Sequence, residues 1–140
     1  MATLLLTACC GAASQAEPHC ALDTVELMAR GELAAVAARF RGGETPALRH
    51  ELQAMLQAVG RFTELAPQSA PAFSASGRLS ARASGVSNPH SFRAAWVGAR
   101  SPLQGRVQWQ VALEPDSRCV LLALHLHWPL ADTPVRPTAE

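Results

Sequence analysis

The 140-residue chain has no tyrosine and no lysine, and only 16% of its residues are charged. It also lacks any apolar run of about 18 residues, the minimum for a membrane-crossing helix. Each absence excludes something. Without tyrosine there is no phenol to donate a hydrogen bond or give up a proton in a pocket. The net charge of +1 offers no electrostatic footprint for nucleic acid or an acidic partner. All 12 basic residues are arginine and lie scattered along the sequence, so nucleic acid is not an expected partner. Abundant alanine beside an arginine-only basic set reflects GC-rich coding rather than a function. No catalytic or cofactor-binding motif is present, and no cofactor is implied.

What is there begins at the N-terminus. Leu6-Thr7-Ala8-Cys9 has the form of a bacterial lipobox: an aliphatic residue, two small ones, then the cysteine that receives lipid. A secretory signal also needs a basic start and an apolar stretch of roughly 7–15 residues. Here Met1-Ala2-Thr3 carries no base, and the apolar part is little more than Leu4-Leu5-Leu6. Two readings are open: a lipoprotein signal whose start lies upstream of Met1, or a short apolar N-terminus that packs on the domain. The first is preferred because Gly11 to Pro18 reads as a flexible tether. The expectation is a signal segment 1–8, lipidation at Cys9, a tether 9–20, one domain 21–131 and a disordered tail 132–140. That places the domain in the bacterial envelope, held to the membrane by lipid and facing the periplasm. At 49% hydrophobic content it can bury a core without a metal.

With Cys9 assigned to lipid, Cys10, Cys20 and Cys119 remain. A Cys20–Cys119 bridge would join the start of the first helix to the last strand, as an oxidising location permits. The alternative for Cys119 is a small buried hydrophobe.

The first half reads as helix and the second as strand. Ala21 to Arg30 places Leu22, Val25, Met28 and Ala29 on one face, with Gly31 as its stop. Glu32 to Phe40 restarts the pattern. Thr45-Pro46 opens a third helix with a capping hydroxyl and a proline at the first turn. Leu48, Leu52, Met55, Leu56 and Val59 form its stripe, and Gly60 ends it. Arg61 to Leu65 then predicts a short strand, Ala66 to Pro71 a loop, and Gly77 to Ala83 a weak edge strand. Ser91 to Arg100 alternates with Phe92, Ala94 and Trp96 on its apolar side. Gly105 to Glu114 turns Val107, Trp109, Val111 and Leu113 one way, and Cys119 to Trp128 closes a meander.

The expected fold class is α+β: three N-terminal helices packed on a curved antiparallel sheet of four to five strands. Leu27 to Phe40, the step from the third helix into Gly60-Arg-Phe-Thr-Glu-Leu65, and the hairpin Val107 to Leu126 carry a resemblance. The chain resembles bacterial domains of unknown function in the nuclear-transport-factor-2-like superfamily, a cone of helices cupped by a bent sheet. The resemblance spans roughly 21–130 and departs from the pattern at Pro67 to Asn88. It implies a cone that can hold a small apolar molecule, and in some relatives an isomerase or dehydratase using acids in that cone. Ketosteroid isomerase, an enzyme of that kind, combines an Asp base with Tyr and a protonated Asp. This chain has no Tyr, and Asp23, Asp116 and Asp132 fall at a helix start, a turn and the tail. Those positions speak against that chemistry.

Two constellations remain. His125 and His127 alternate on the last strand, a geometry that can supply two metal ligands. His50, His90, Glu114 or Asp116 would have to complete such a site, and the alternative is a pair of imidazoles facing solvent. Trp96, Trp109 and Trp128 lie on apolar strand faces, where they either line a pocket, with Arg93 or Glu64 at its rim, or pack the core. The expected function is a non-enzymatic envelope lipoprotein module that binds a partner protein or a small apolar ligand. The alternative is a cone-pocket enzyme using Glu64 or His90. Homodimerisation through the outer sheet face stays open, although Gln108, Gln110, His125 and His127 make that face polar.

Overall fold

The computed structural model describes residues 8–85, 92–115 and 118–130, with side chains from residue 19 onward. Three helices, α1 (Ala8–Ala29), α2 (Leu33–Ala38) and α3 (Pro46–Val59), precede five strands. These are β1 (Thr63–Gln68), β2 (Ser76–Arg82), β3 (Arg93–Ser101), β4 (Gly105–Leu113) and β5 (Leu121–Pro129). All sheet pairings are antiparallel. The chain is therefore an α+β fold with its helices on one face of a single five-stranded sheet.

The local signals act where the sequence places them. Thr45 accepts the Leu48 amide at 3.1 Å through its hydroxyl, and Pro46 follows in the first turn of α3. Gly60 ends α3 at φ 67° while its N–H bonds Leu56 O. At the end of α1 the Gly31 amide reaches Met28 O and the Glu32 amide reaches Leu27 O. This Schellman closure needs the left-handed φ of 75° that Gly31 supplies. The first helix begins upstream of the expected Ala21: the backbone is helical from Ala8, so residues 9–20, read as a tether, lie inside α1.

The strand order is β1-β3-β4-β5-β2. Only β3 to β5 form the expected meander; β1 and β2 are the two edges. Four successive antiparallel pairings make those edges parallel to each other, so the chain from Ser69 to Ala75 must cross the whole sheet. It crosses on the side away from the helices, where the Ala72 amide and the Ala70 carbonyl both bond the Gln108 side chain on β4. Pro67 and Gln68, expected in a loop, belong to β1. Proline is tolerated there because β1 is an edge strand.

The core lies between the helices and the sheet. Val25, Met28, Val36, Leu48, Leu52, Met55 and Val59 meet Val97, Val107, Trp109, Val111, Leu124 and Leu126. The stop of α2 is tied to the start of β5 by two backbone bonds, Arg41 N–H to Leu121 O and Leu121 N–H to Arg39 O, both 2.9 Å. That tie brings Arg39 beside Cys119. Cys20 of α1 and Cys119 are disulfide-bonded, with Cα atoms 5.7 Å apart and a sequence separation of 99.

Candidate functional site

The helix-free face of the sheet carries the polar strand positions, and cross-strand register arranges them in rows. One row runs Gly98, Gln108, His127, Arg78 across β3, β4, β5 and β2. The next runs Trp96, Gln110, His125, Ser80. Directly opposed residues share a face, so each row sets neighbouring positions side by side, and contacts such as Trp96–His127 and His127–Gln110 run diagonally between the rows.

Gln108 is the anchor of this face. Although it points away from the helices, it is only 1% exposed, because the Ser69–Ala75 crossing lies on it. Its Nε2 donates to Gln68 Oε1 and to Ala70 O at 2.9 Å, and its Oε1 accepts the Ala72 amide at 2.9 Å. Gly98 makes room for this: a Cβ there would overlap the Gln68 carboxamide. Beyond Ala72, Phe73 lies under the Arg106 guanidinium, 5.9 Å from its ring centroid.

Between the crossing and β3 lies a groove of about 730 Å³, lined by Pro67 to Ala70, Ala72 and Ala94 to Trp96. Trp96 also approaches His127, with ring centroids 5.9 Å apart. Alternation had put Trp96 on the core side with Phe92 and Ala94. The structure reverses it: the inward residues of β3 are Ala95, Val97 and Ala99, opposite Val111, Trp109 and Val107. The three tryptophans therefore do not converge. Trp109 is fully buried against Phe62, centroids 5.1 Å apart, and its indole N–H meets no acceptor among the described residues. Trp128 packs at the core margin over Gly77. Only Trp96 faces the groove.

His125 and His127 share the outer face, and their hydrogen bonds fix what they can do. His127 Nε2 lies 3.1 Å from Gln110 Oε1, a carbonyl oxygen that can only accept, so Nε2 carries the proton. Nδ1 then accepts from the Ser76 hydroxyl at 3.2 Å. His125 Nδ1 lies 2.6 Å from Ser80 Oγ. Burial first, and then the Arg78, His127 and Arg82 charges, lower the His125 pKa to about 4. Burial and Arg78 lower that of His127 as well. Both rings are thus neutral near pH 7. Ser80 and His125 superficially form a nucleophile–base pair, yet so depressed a pKa makes the imidazole a weak base.

The other residues of the metal set are not brought here. Both ring nitrogens of His127 are already hydrogen-bonded, His50 is exposed on α3, and Glu114 pairs with Arg41 at 3.1 Å. His90 and Asp116 lie outside the described residues. Among the described residues no three His, Cys, Asp or Glu side chains are grouped to hold a metal. Glu64, the other candidate base, sits exposed at an irregularity of β1 with φ 60° and pairs with Arg100 at 3.6 Å. Arg93 is exposed at the start of β3.

A second depression, about 580 Å³, surrounds the disulfide and is lined by His19, Cys20, Asp23, Arg39, Arg118 and Cys119. Arg39 organises it: Nη2 pairs with Asp23 at 2.5 Å, and Nη1 donates to Thr24 Oγ1 at 3.0 Å and approaches Cys119 Sγ at 3.7 Å. The side chain of Cys9 and residues 132–140 lie outside what the structure describes.

No family model matches the chain, and no curated protein or solved structure matches it.

Proposed function

We propose that the protein is a non-enzymatic module of the bacterial envelope, anchored through a lipid on Cys9, that binds a small apolar ligand beside Trp96. The observation that carries this reading is the groove itself. Pro67, Ala70, Ala72, Ala94 and the half-buried Trp96 give it apolar walls, and Gln68 and Ser69 give it a few polar atoms. That is the composition of a ligand site. We also read the three helices and five strands as a nuclear-transport-factor-2-like cone, which the layer arrangement supports. The ligand then sits on the opposite side of the sheet from that superfamily's usual site, since Trp109, Leu124 and Leu126 fill the helix side.

The enzymatic alternative has less support, because Glu64 stands exposed beside Arg100 and the depressed His125 is a weak base. The binding test uses the full chain and the neutral fluorophore N-phenyl-1-naphthylamine. Saturable enhancement that Trp96→Ala weakens about tenfold, a loss of about 1.4 kcal/mol, is expected. An unchanged titration in the variant would reject the site. For the anchor, radiolabelled palmitate should be incorporated in a bacterial host and lost in Cys9→Ser.

A further inference from the structure

The fold separates the acids, rather than the arginines, between its two layers. Asp23, Glu26, Glu32, Glu44 and Glu51 sit in the helical layer, on or next to α1, α2 and α3. The outer face of the sheet instead presents Arg78 and Arg82 on β2, Arg106 on β4 and Arg100 on β3. Among the described residues the acid on this face is Glu64 at the β1 edge, and it is committed to Arg100. Arg106 is committed to Phe73. Arg78 differs. It is exposed, it opposes His127 directly, and it is the cation that both imidazoles feel.

The register connects this cation to the groove. Trp96 touches the His127 ring from one side and Arg78 flanks it from the other. Trp96 and Arg78 stand three strands and one two-residue row apart, or about 16 Å between backbones at the usual spacings. The Trp96 ring leans toward the imidazole between them, so the uncovered gap is shorter than that. Ser76 and Ser80 add hydroxyls along the same stretch. An apolar surface at one end of a continuous track and, at the other, a guanidinium without an acid beside it among the described residues complement a molecule built the same way.

We propose that the ligand of the Trp96 groove is an amphiphilic acid, its apolar chain against Trp96 and the Pro67–Ala72 segment and its carboxylate over His127 toward Arg78. This rests on the groove being a ligand site.

The test titrates full chain with decanoate, decanol and decyltrimethylammonium below their micellar concentrations, reading tryptophan emission and heat. Decanoate should bind about tenfold or more tighter than decanol, and the ammonium weakest. Arg78→Gln should erase the preference for decanoate while keeping decanol affinity, and Trp96→Ala should weaken both. Equal affinity for decanoate and decanol would overturn the acid and leave the groove standing. A decanoate preference that survives Arg78→Gln would overturn the assignment of the headgroup. No binding by any of the three would overturn the groove and the acid together. Capture by phosphatidylglycerol vesicles without decanoate binding would replace the single ligand by a membrane surface.

Discussion

Acidification should weaken the fold through His125, in a direction and over a range set by the ring's surroundings. Burial, reinforced by Arg78, His127 and Arg82, holds its pKa at about 4 in the folded chain, against 6.5 in the unfolded one. The unfolded state therefore takes up the proton first as the pH falls. The stability that the neutral ring contributes is fully present above 6.5, declines between 6.5 and about 4, and is lost below that. The full difference corresponds to about 3 kcal/mol, and partial solvent access reduces it to about 1–3 kcal/mol. The assay compares urea midpoints of wild type and His125→Gln from pH 7.5 to 4.3. Glutamine keeps a hydrogen-bonding partner for Ser80, and the carboxylates titrate in both proteins, so the difference between the two curves isolates the imidazole. Wild type should lose about 1–3 kcal/mol more than the variant across the window, with equal denaturant slopes. A constant difference would refute the reasoning, since the ring would then have the same proton affinity folded and unfolded.

Three other perturbations follow. Removing the disulfide with Cys20→Ser/Cys119→Ser frees a loop of about 100 residues and should cost about 4–5 kcal/mol in the chain-entropy account. Calorimetry should show Tm lower by about 10–20 °C, and coincident melts would reject the bridge. In Gly77→Ala the new methyl would stand 2.5 Å from the Trp128 ring, closer than any real Cβ contact. The loss should be about 1–3 kcal/mol and should shrink when Trp128→Leu is added; an unchanged urea midpoint would contradict that packing. Gln108→Leu leaves the Ala70 carbonyl and the Ala72 amide unpaired, so it should destabilise by about 1–3 kcal/mol. Limited proteolysis should then cut the Ser69–Ala75 crossing sooner than in wild type, and an unaltered rate would show that the crossing is held elsewhere.

What the sequence reveals of this fold is what local chemistry decides. The cap at Thr45, the stripe of α3, the stop at Gly60 and the alternation of β4 are set by neighbours within a few residues, and each stands where it reads. Cys20 and Cys119 could be paired because the odd cysteine count and the helix–strand order left few partners. Trp96 could not be placed by such means. Both phases of β3 are apolar, Ala94 and Trp96 on one side and Ala95, Val97 and Ala99 on the other, so alternation alone gives no sign. The choice is made by Trp109 across the ladder, whose partner is Val97. The pairing of β2 with β5 rather than β1 is likewise non-local, and the burial of Gln108 follows from it. Without the crossing, a glutamine on an outer strand face reads as solvated. The groove was therefore invisible in sequence, because one of its walls exists only through that crossing.

The disulfide also decides how the domain carries load. A pull on the chain upstream of residue 20 enters the fold at Cys20 and passes through the sulfur bridge to Cys119. From there it reaches β5, a strand hydrogen-bonded on both sides. The rest of α1 and the helices α2 and α3 stand in parallel with that route rather than in series. Tension from an attachment near the N-terminus would be borne along the strongest part of the sheet, and the helical layer would stay packed until the bridge is reduced.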